Sequence, residues 1–168
     1  MFTTELFTDI ALLSAAVKER IIQRLGTRTI NNKPCLGTTV EDVRRGIEDG
    51  IYTAFIFIRN QEVDDEASAA LQYADLCDDG VNRLWMHDLC RITRAQPKPK
   101  MSPVRPLIQA CCRYAESIGL KHLHILVDKH SGCLQTLYTA YGFVTDETCC
   151  IDDYIVMHYN ASCKTKRG

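Results

Sequence analysis

The chain has 168 residues, 46% of them hydrophobic and 24% charged, which is enough for one good core and too little for two domains. A formal net charge of −1 excludes a generic polyanion binder and disfavours nucleic acid as a partner, and no apolar run reaches the length of a membrane span. Nine cysteines without paired C-x-x-C spacing exclude a zinc ribbon, so mostly buried thiols in a reducing cytoplasm are expected rather than a disulfide scaffold.

Phe2 to Phe7 reads as a first strand, in a leader whose acidic residues and missing basic segment predict neither signal peptide nor anchor. Asp9 is the expected N-cap of an amphipathic helix to Leu25, with Ile10, Leu13, Val17, Ile21 and Leu25 inward and Gly26 as its stop. Thr27 to Gly37 is polar and reads as a loop. Thr39 with Asp42 three residues on predicts a capping box at the start of a second helix that ends near Gly50.

Ile51 to Ile58 is nearly all apolar and predicts a strand buried on both faces. Ala69 to Cys77 and Arg83 to Ile92 follow across polar turns, the second at Asp78, Asp79 and Gly80, so the second, third and fourth strands form an antiparallel meander. A basic, proline-rich loop precedes a helix from Ser102 to Ile118, with Ser102 as N-cap, Pro103 in the first helical position and Gly119 as the end. Lys121 to Val127 is the fifth strand. The run Ser131 to Tyr141 then places Leu134, Leu137, Tyr138 and Tyr141 at helical intervals as an inward face, Gly142 supplies a left-handed stop, and Phe143 re-enters a strand. Val144 to Thr148 and Tyr154 to Tyr159 make a final hairpin. The domain spans residues 1–160, and residues 161–168, with Lys164, Lys166 and Arg167, form a basic tail.

The Leu137-Tyr138-x-x-x-Gly142-Phe143 punctuation resembles the C-terminal signature of the GNAT superfamily of acetyl-CoA dependent N-acetyltransferases, with Ser131 and Leu134 where that family usually has Asn and Ala. The element order β-α-α-β-β-β-α-β-α-β-β is also the family's. The resemblance implies one α/β domain with a mixed, mostly antiparallel sheet splayed between its fourth and fifth strands. It implies acetyl-CoA as cosubstrate, direct attack by a bound primary amine in a ternary complex, and one wall of the acceptor cleft built from the first helix pair.

On the fourth strand the resemblance makes His87 the base, an imidazole of ordinary pKa ~6.5 being suited to take a proton near neutrality. It makes Tyr138 the acid that protonates the departing thiolate. Strand alternation sets Asp88 on the face opposite His87; a register shifted by one residue makes Asp88 the base, and Asp75 stands in reserve. His87 also reads as a structural histidine, and Tyr138 as a core tyrosine with its hydroxyl at the rim. Cys90 and Cys111 are candidate acyl acceptors for a two-step scheme, without an adjacent base in sequence.

The same resemblance places the cosubstrate on Leu89, Arg91, Gln96, Lys98, Lys100, Ser102, Arg105 and Ser131. The pyrophosphate loop departs from the family's glycine-rich form. Pro97, Pro99, Pro103 and Pro106 offer no N–H, while Arg91, Arg94, Lys98, Lys100 and Arg105 gather positive charge beside a helix N-terminus. His122 and His124 share one face of the fifth strand and His130 lies three residues before Cys133, a spacing not specific enough to predict a metal. The acceptor's class and self-association into a homodimer stay open. Two other readings compete with acetyl transfer: a catalytically silent binding module of the same fold, and an acyl-homoserine lactone synthase.

Overall fold

The computed structural model describes residues 2–7, 12–27, 29–30, 33–34, 39–50, 54–65, 70–92 and 102–160. The elements run β1 (Phe2–Phe7), α1 (Ala15–Gly26), β2 (Thr29–Ile30), β3 (Lys33–Pro34), α2 (Val40–Glu48), β4 (Ala54–Asn60), β5 (Ala70–Asp78) and β6 (Leu84–Arg91). They continue α3 (Val104–Ser117), β7 (His122–Asp128), α4 (Gly132–Tyr141), β8 (Val144–Ile151) and β9 (Tyr154–Asn160). Apart from β2 and β3, a two-residue ribbon inside the stretch expected to be loop, this is the predicted succession.

Seven strands form one sheet in the order β1-β4-β5-β6-β7-β9-β8. Every neighbouring pair is antiparallel except β6 with β7, which run parallel. That parallel pair is short: only Leu84 with Leu123 and Trp85 with His124 are in register. Among the described residues no β6–β7 pair forms beyond Trp85, while β6 stays laddered to β5 as far as Arg91 and β7 to β9 as far as Asp128. The sheet is therefore closed at one end of this seam and splayed at the other.

Each face has its own core. On one, Ile56, Ala74, Leu76, Leu84, Met86, Leu123, Ile125 and Met157 pack with Leu107, Ile108, Cys111, Cys112 and Ala115 of α3. On the other, Phe55, Phe57 and Tyr73 pack with Val17, Ile21, Leu25, Val43 and Ile47 of α1 and α2. β4 feeds both cores from alternate residues, which is why it reads as a continuous apolar run.

Local chemistry sets the ends. Ser14, not Asp9, caps α1: its Oγ accepts the Val17 N–H at 3.3 Å, and Asp9 and Ile10 lie outside the described residues. The inward positions Leu13, Val17, Ile21 and Leu25 are buried as expected. α1 includes Gly26 and caps at Thr27, so this glycine serves close approach: an added Cβ would lie 2.5 Å from the Val40 backbone at the start of α2. The capping box on α2 is present in both directions, with the Asp42 N–H on Thr39 Oγ1 at 3.1 Å and the Thr39 N–H on Asp42 Oδ2 at 3.2 Å. α3 begins one residue later than expected, with Pro103 as its cap residue and Ser102 Oγ accepting the Val104 N–H at 3.3 Å.

Candidate functional site

The site is built on the strand between the meander and the seam. β6 pairs Met86 with Leu76 and Asp88 with Asp75, so His87 is an extra residue, a β-bulge. Met86 and Leu89 both belong to the α3-side core, and positions 87 and 88 fall between them. The bulge interrupts the regular pairing here: it takes up one residue, and the register places position 88 across from Asp75.

The imidazole of His87 is half-exposed, and its Nδ1 lies 3.9 Å from Oδ1 of Asp75. Asp75 is fully buried, the only acidic residue in the buried set among the described residues. Its Oδ2 accepts the Tyr73 hydroxyl at 2.9 Å. Tyr73 is also fully buried, with its ring 6.1 Å from Phe55 and 5.3 Å from Phe57. Asp75, the reserve base of the sequence expectation, thus enters the site as a buried carboxyl group between a phenol and an imidazole. Tyr73 was missed, although its two-residue spacing from Asp75 on a strand signals one shared face.

Tyr138 lies on α4, which follows β7 at the splayed end of the seam. Its ring meets Phe143 edge to face at 5.5 Å, and both pack on the α3-side core. Gly142, at φ 101°, turns the chain so that its own N–H reaches Thr139 O and the Phe143 N–H reaches Tyr138 O at 3.0 Å. These two bonds and the ring contact form a Schellman ending, the physical content of the Tyr-x-x-x-Gly-Phe spacing. Leu134, Tyr138 and Tyr141 face the core, whereas Leu137, expected inward, is 43% exposed.

Of the predicted cosubstrate contacts, Leu89 is partly buried against the core and Arg91 is exposed, its carbonyl accepting the Arg24 Nε–H at 2.9 Å. Ser102 and Arg105 flank the start of α3, the guanidinium standing 5.7 Å from the centre of the Tyr141 ring. Pro103 and Pro106 have no N–H, and Ser102 engages that of Val104, so backbone donors at this terminus are few. Ser131 is buried; its N–H reaches Asp128 O and its carbonyl accepts the Gln135 N–H. Gln96, Lys98 and Lys100 lie outside the described residues, as does Arg94. Two surface grooves, one lined by Glu19, Arg20, Gln23, Arg24, Thr27 and Ile92 and the other between α1 and α2, contain neither His87 nor Tyr138.

His122 and His124 share a face as expected, and His158 of β9, in register with His124, joins them with ring centres 5.3 to 6.1 Å apart. Trp85 closes the cluster at 5.3 Å from His124. Burial, then Arg83 and the neighbouring imidazoles, holds the His124 pKa below that of an ordinary histidine, and burial followed by His158 and Lys121 does so for His122. Among the described residues no group of three or more His, Cys, Asp or Glu is placed to hold a metal ion. Cys111 is buried and its thiol pKa is driven well up, by burial first, so it is a poor nucleophile; the side chain of Cys90 lies outside the described set. Of the described cysteines Cys111 and Cys112 are buried, Cys77 and Cys149 partly so, and Cys133 is exposed.

No protein-family model matches the chain, and no curated protein matches it in sequence. Solved structures do match in fold. A spermidine N-acetyltransferase chimera of Vibrio cholerae SpeG and hSSAT superposes with a TM-score of 0.62 at 14% identity, covering 99% of each chain. The PaiA N-acetyltransferase of Thermoplasma acidophilum, solved in complex with coenzyme A, gives 0.60 at 11% identity over 94% of this chain and 99% of that one. A GNAT-family acetyltransferase from Listeria monocytogenes gives 0.52 at 11% identity, over 74% of this chain and 73% of that one. With its splayed parallel seam, bulged β6 and Gly-Phe helix ending, this chain has the fold of the GNAT acetyltransferases.

Proposed function

We propose that the protein is an N-acetyltransferase that moves an acetyl group from acetyl-CoA to a primary amine in a ternary complex. The observation that carries the reading is the half-exposed imidazole of His87, at the bulge of the strand that borders the splayed seam, 3.9 Å from the buried carboxyl group of Asp75. In this reading the thioester lies in the seam and the pyrophosphate on Arg91, Ser102 and Arg105, with Gln96, Lys98 and Lys100 from the adjoining loop and Ser131 and Leu89 along the acyl chain. His87 takes a proton from the acceptor ammonium, directly or through water. The amine nitrogen then bonds to the acyl carbon, the carbon–sulfur bond breaks, and Tyr138 gives its phenolic proton to the departing thiolate.

The acceptor approaches from the α1–α2 side, where Leu126 and Val144 on the β7–β9–β8 half of the sheet are 46% and 53% exposed. Its class is not fixed by these residues. The decisive experiment combines a panel of amine classes, read by release of free CoA thiol, with a melting measurement. Acetyl-CoA at about 100 times its dissociation constant should stabilise the fold by about 2.7 kcal/mol.

The short supply of N–H donors at the proline-bearing start of α3 favours a second reading, a silent binding module of the same fold. No melting shift at millimolar acetyl-CoA supports that reading and defeats the first. A shift without thiol release from any amine supports a module that binds CoA and does not turn it over.

A further inference from the structure

Asp75 has no exposed surface, and a carboxylate buried to that degree is costly unless its charge is answered. Its two oxygens are answered from different sides. Tyr73 donates to Oδ2 at 2.9 Å from two residues away on β5, and the His87 Nδ1 faces Oδ1 at 3.9 Å from the bulge of β6. The ladder that pairs Cys77 with Trp85 and Leu76 with Met86 carries residue 87 to the Asp75 rung, and the bulge places residue 88 opposite the same Asp75. The distance is that of an ion pair, and rotation of a half-exposed ring can shorten it to a hydrogen bond. Tyr73 cannot make a comparable adjustment, because its ring is held between Phe55 and Phe57.

We propose that Tyr73 and Asp75 form a fixed arm that positions His87. Asp75 holds the proton on Nδ1, so that Nε2, on the far side of the ring, is the acceptor nitrogen, and it stabilises the imidazolium formed when that nitrogen takes a proton. Tyr73 fixes the carboxylate in place. Asp75 and Tyr73 are positioning residues and touch no reacting atom. Among the described residues the carboxylate also acts on the thiols of Cys77 on β5 and Cys111 on α3: burial raises both first, and Asp75 raises them further, after Cys112 in the case of Cys111.

The meaning of this arm rests on His87 acting as the base, but its test does not. In protein carrying ¹⁵N-labelled histidine, the His87 ring nitrogens report both tautomer and titration without any substrate. Asp75→Asn removes the negative charge: the Nδ1–H tautomer should lose its excess and the His87 titration should move to lower pH. Tyr73→Phe removes one hydrogen bond from the carboxylate, which then leans harder on the imidazole, so the titration should move to higher pH. Opposite displacements are the signature, since general loosening would move both variants toward the value of free histidine.

Displacements in the same direction, or none, overturn the proposal. If Asp75→Asn does not fold, Tyr73→Phe decides alone: a rise supports the arm, and a fall or no change overturns it. In the acetylation assay Asp75→Asn should lower kcat by about 10²-fold, leave the KM for acetyl-CoA unchanged, and carry the acidic limb of the pH profile to lower pH. Opposite displacements in a protein that acetylates no amine would keep the arm and refute the acetyltransferase reading.

Discussion

Tyr138 carries two jobs that a single substitution separates. Its ring is half of the edge-to-face contact with Phe143 that completes the end of α4, and its hydroxyl is the proposed proton donor. Tyr138→Phe keeps the ring and removes the hydroxyl, so the melting temperature should be nearly unchanged. Turnover should fall by about 10²–10⁴-fold if that proton is delivered in the rate-limiting step. Turnover equal to that of the native protein would return Tyr138 to a purely structural part.

The histidine cluster makes a prediction that concerns stability. Folding lowers the proton affinity of His122 and His124, chiefly by burial, so below the ordinary histidine pKa of ~6.5 the unfolded chain binds more protons than the folded one. The cluster is neutral in its effect above that pH. As the pH falls through this range towards the lower folded values, stability is lost. His124→Phe keeps a ring beside Trp85 and removes one titrating group, so denaturant midpoints taken at about pH 7.5 and about pH 5.5 should differ less than in the native protein.

At the scale of elements, two glycines are needed for different reasons, and equal substitutions should reveal it. Gly142→Ala puts a side chain at φ 101° and should cost about 1–2 kcal/mol through backbone strain at the end of α4. Gly26→Ala meets the Val40 backbone at 2.5 Å, so α1 and α2 must separate, at a cost of about 1–3 kcal/mol. Chemical denaturation measures both. Only the second should also open the α1–α2 contact, which is visible as faster amide exchange in α2.

The capping box of α2 belongs to the same scale. Thr39→Ala removes the acceptor for the Asp42 N–H and the hydroxyl that, with the backbone N–H, holds the Asp42 carboxylate. A loss of about 1 kcal/mol is expected, with Asp42 moving part of the way back toward the ordinary aspartate pKa, since the hydroxyl bond is lost and the one from the residue 39 backbone N–H is kept. An undiminished midpoint would mean that packing of Val43 and Ile47 alone holds the helix.

Across the whole molecule, what could be read from the chain is what depends on residues near one another in sequence. The apolar run of β4, the Thr39–Asp42 box and the Gly142-Phe143 ending are all written within a few residues, because hydrogen bonds three or four residues apart and left-handed stops are local facts. The order of elements followed from them, and with it the fold. The start of α1 was misplaced because Asp9 and Ser14 are both good caps and nothing local chooses between them. Leu137 was misjudged because a periodic apolar residue is buried only if another element arrives to cover it.

The site was legible only as a set of names. Which residues meet depends on pairing between strands far apart in the chain, and one extra residue in such a pairing turns every later assignment over. The bulge at His87 is of this kind: it arises from the mismatch between β5 and β6, and no feature of either strand alone announces it. Sequence by itself determined the elements, their order and the helix ending that carries Tyr138. Tertiary structure decided that Asp75 is buried under His87 with Tyr73 behind it, and that His158 joins His122 and His124, because burial and cross-strand proximity are properties of the assembled sheet.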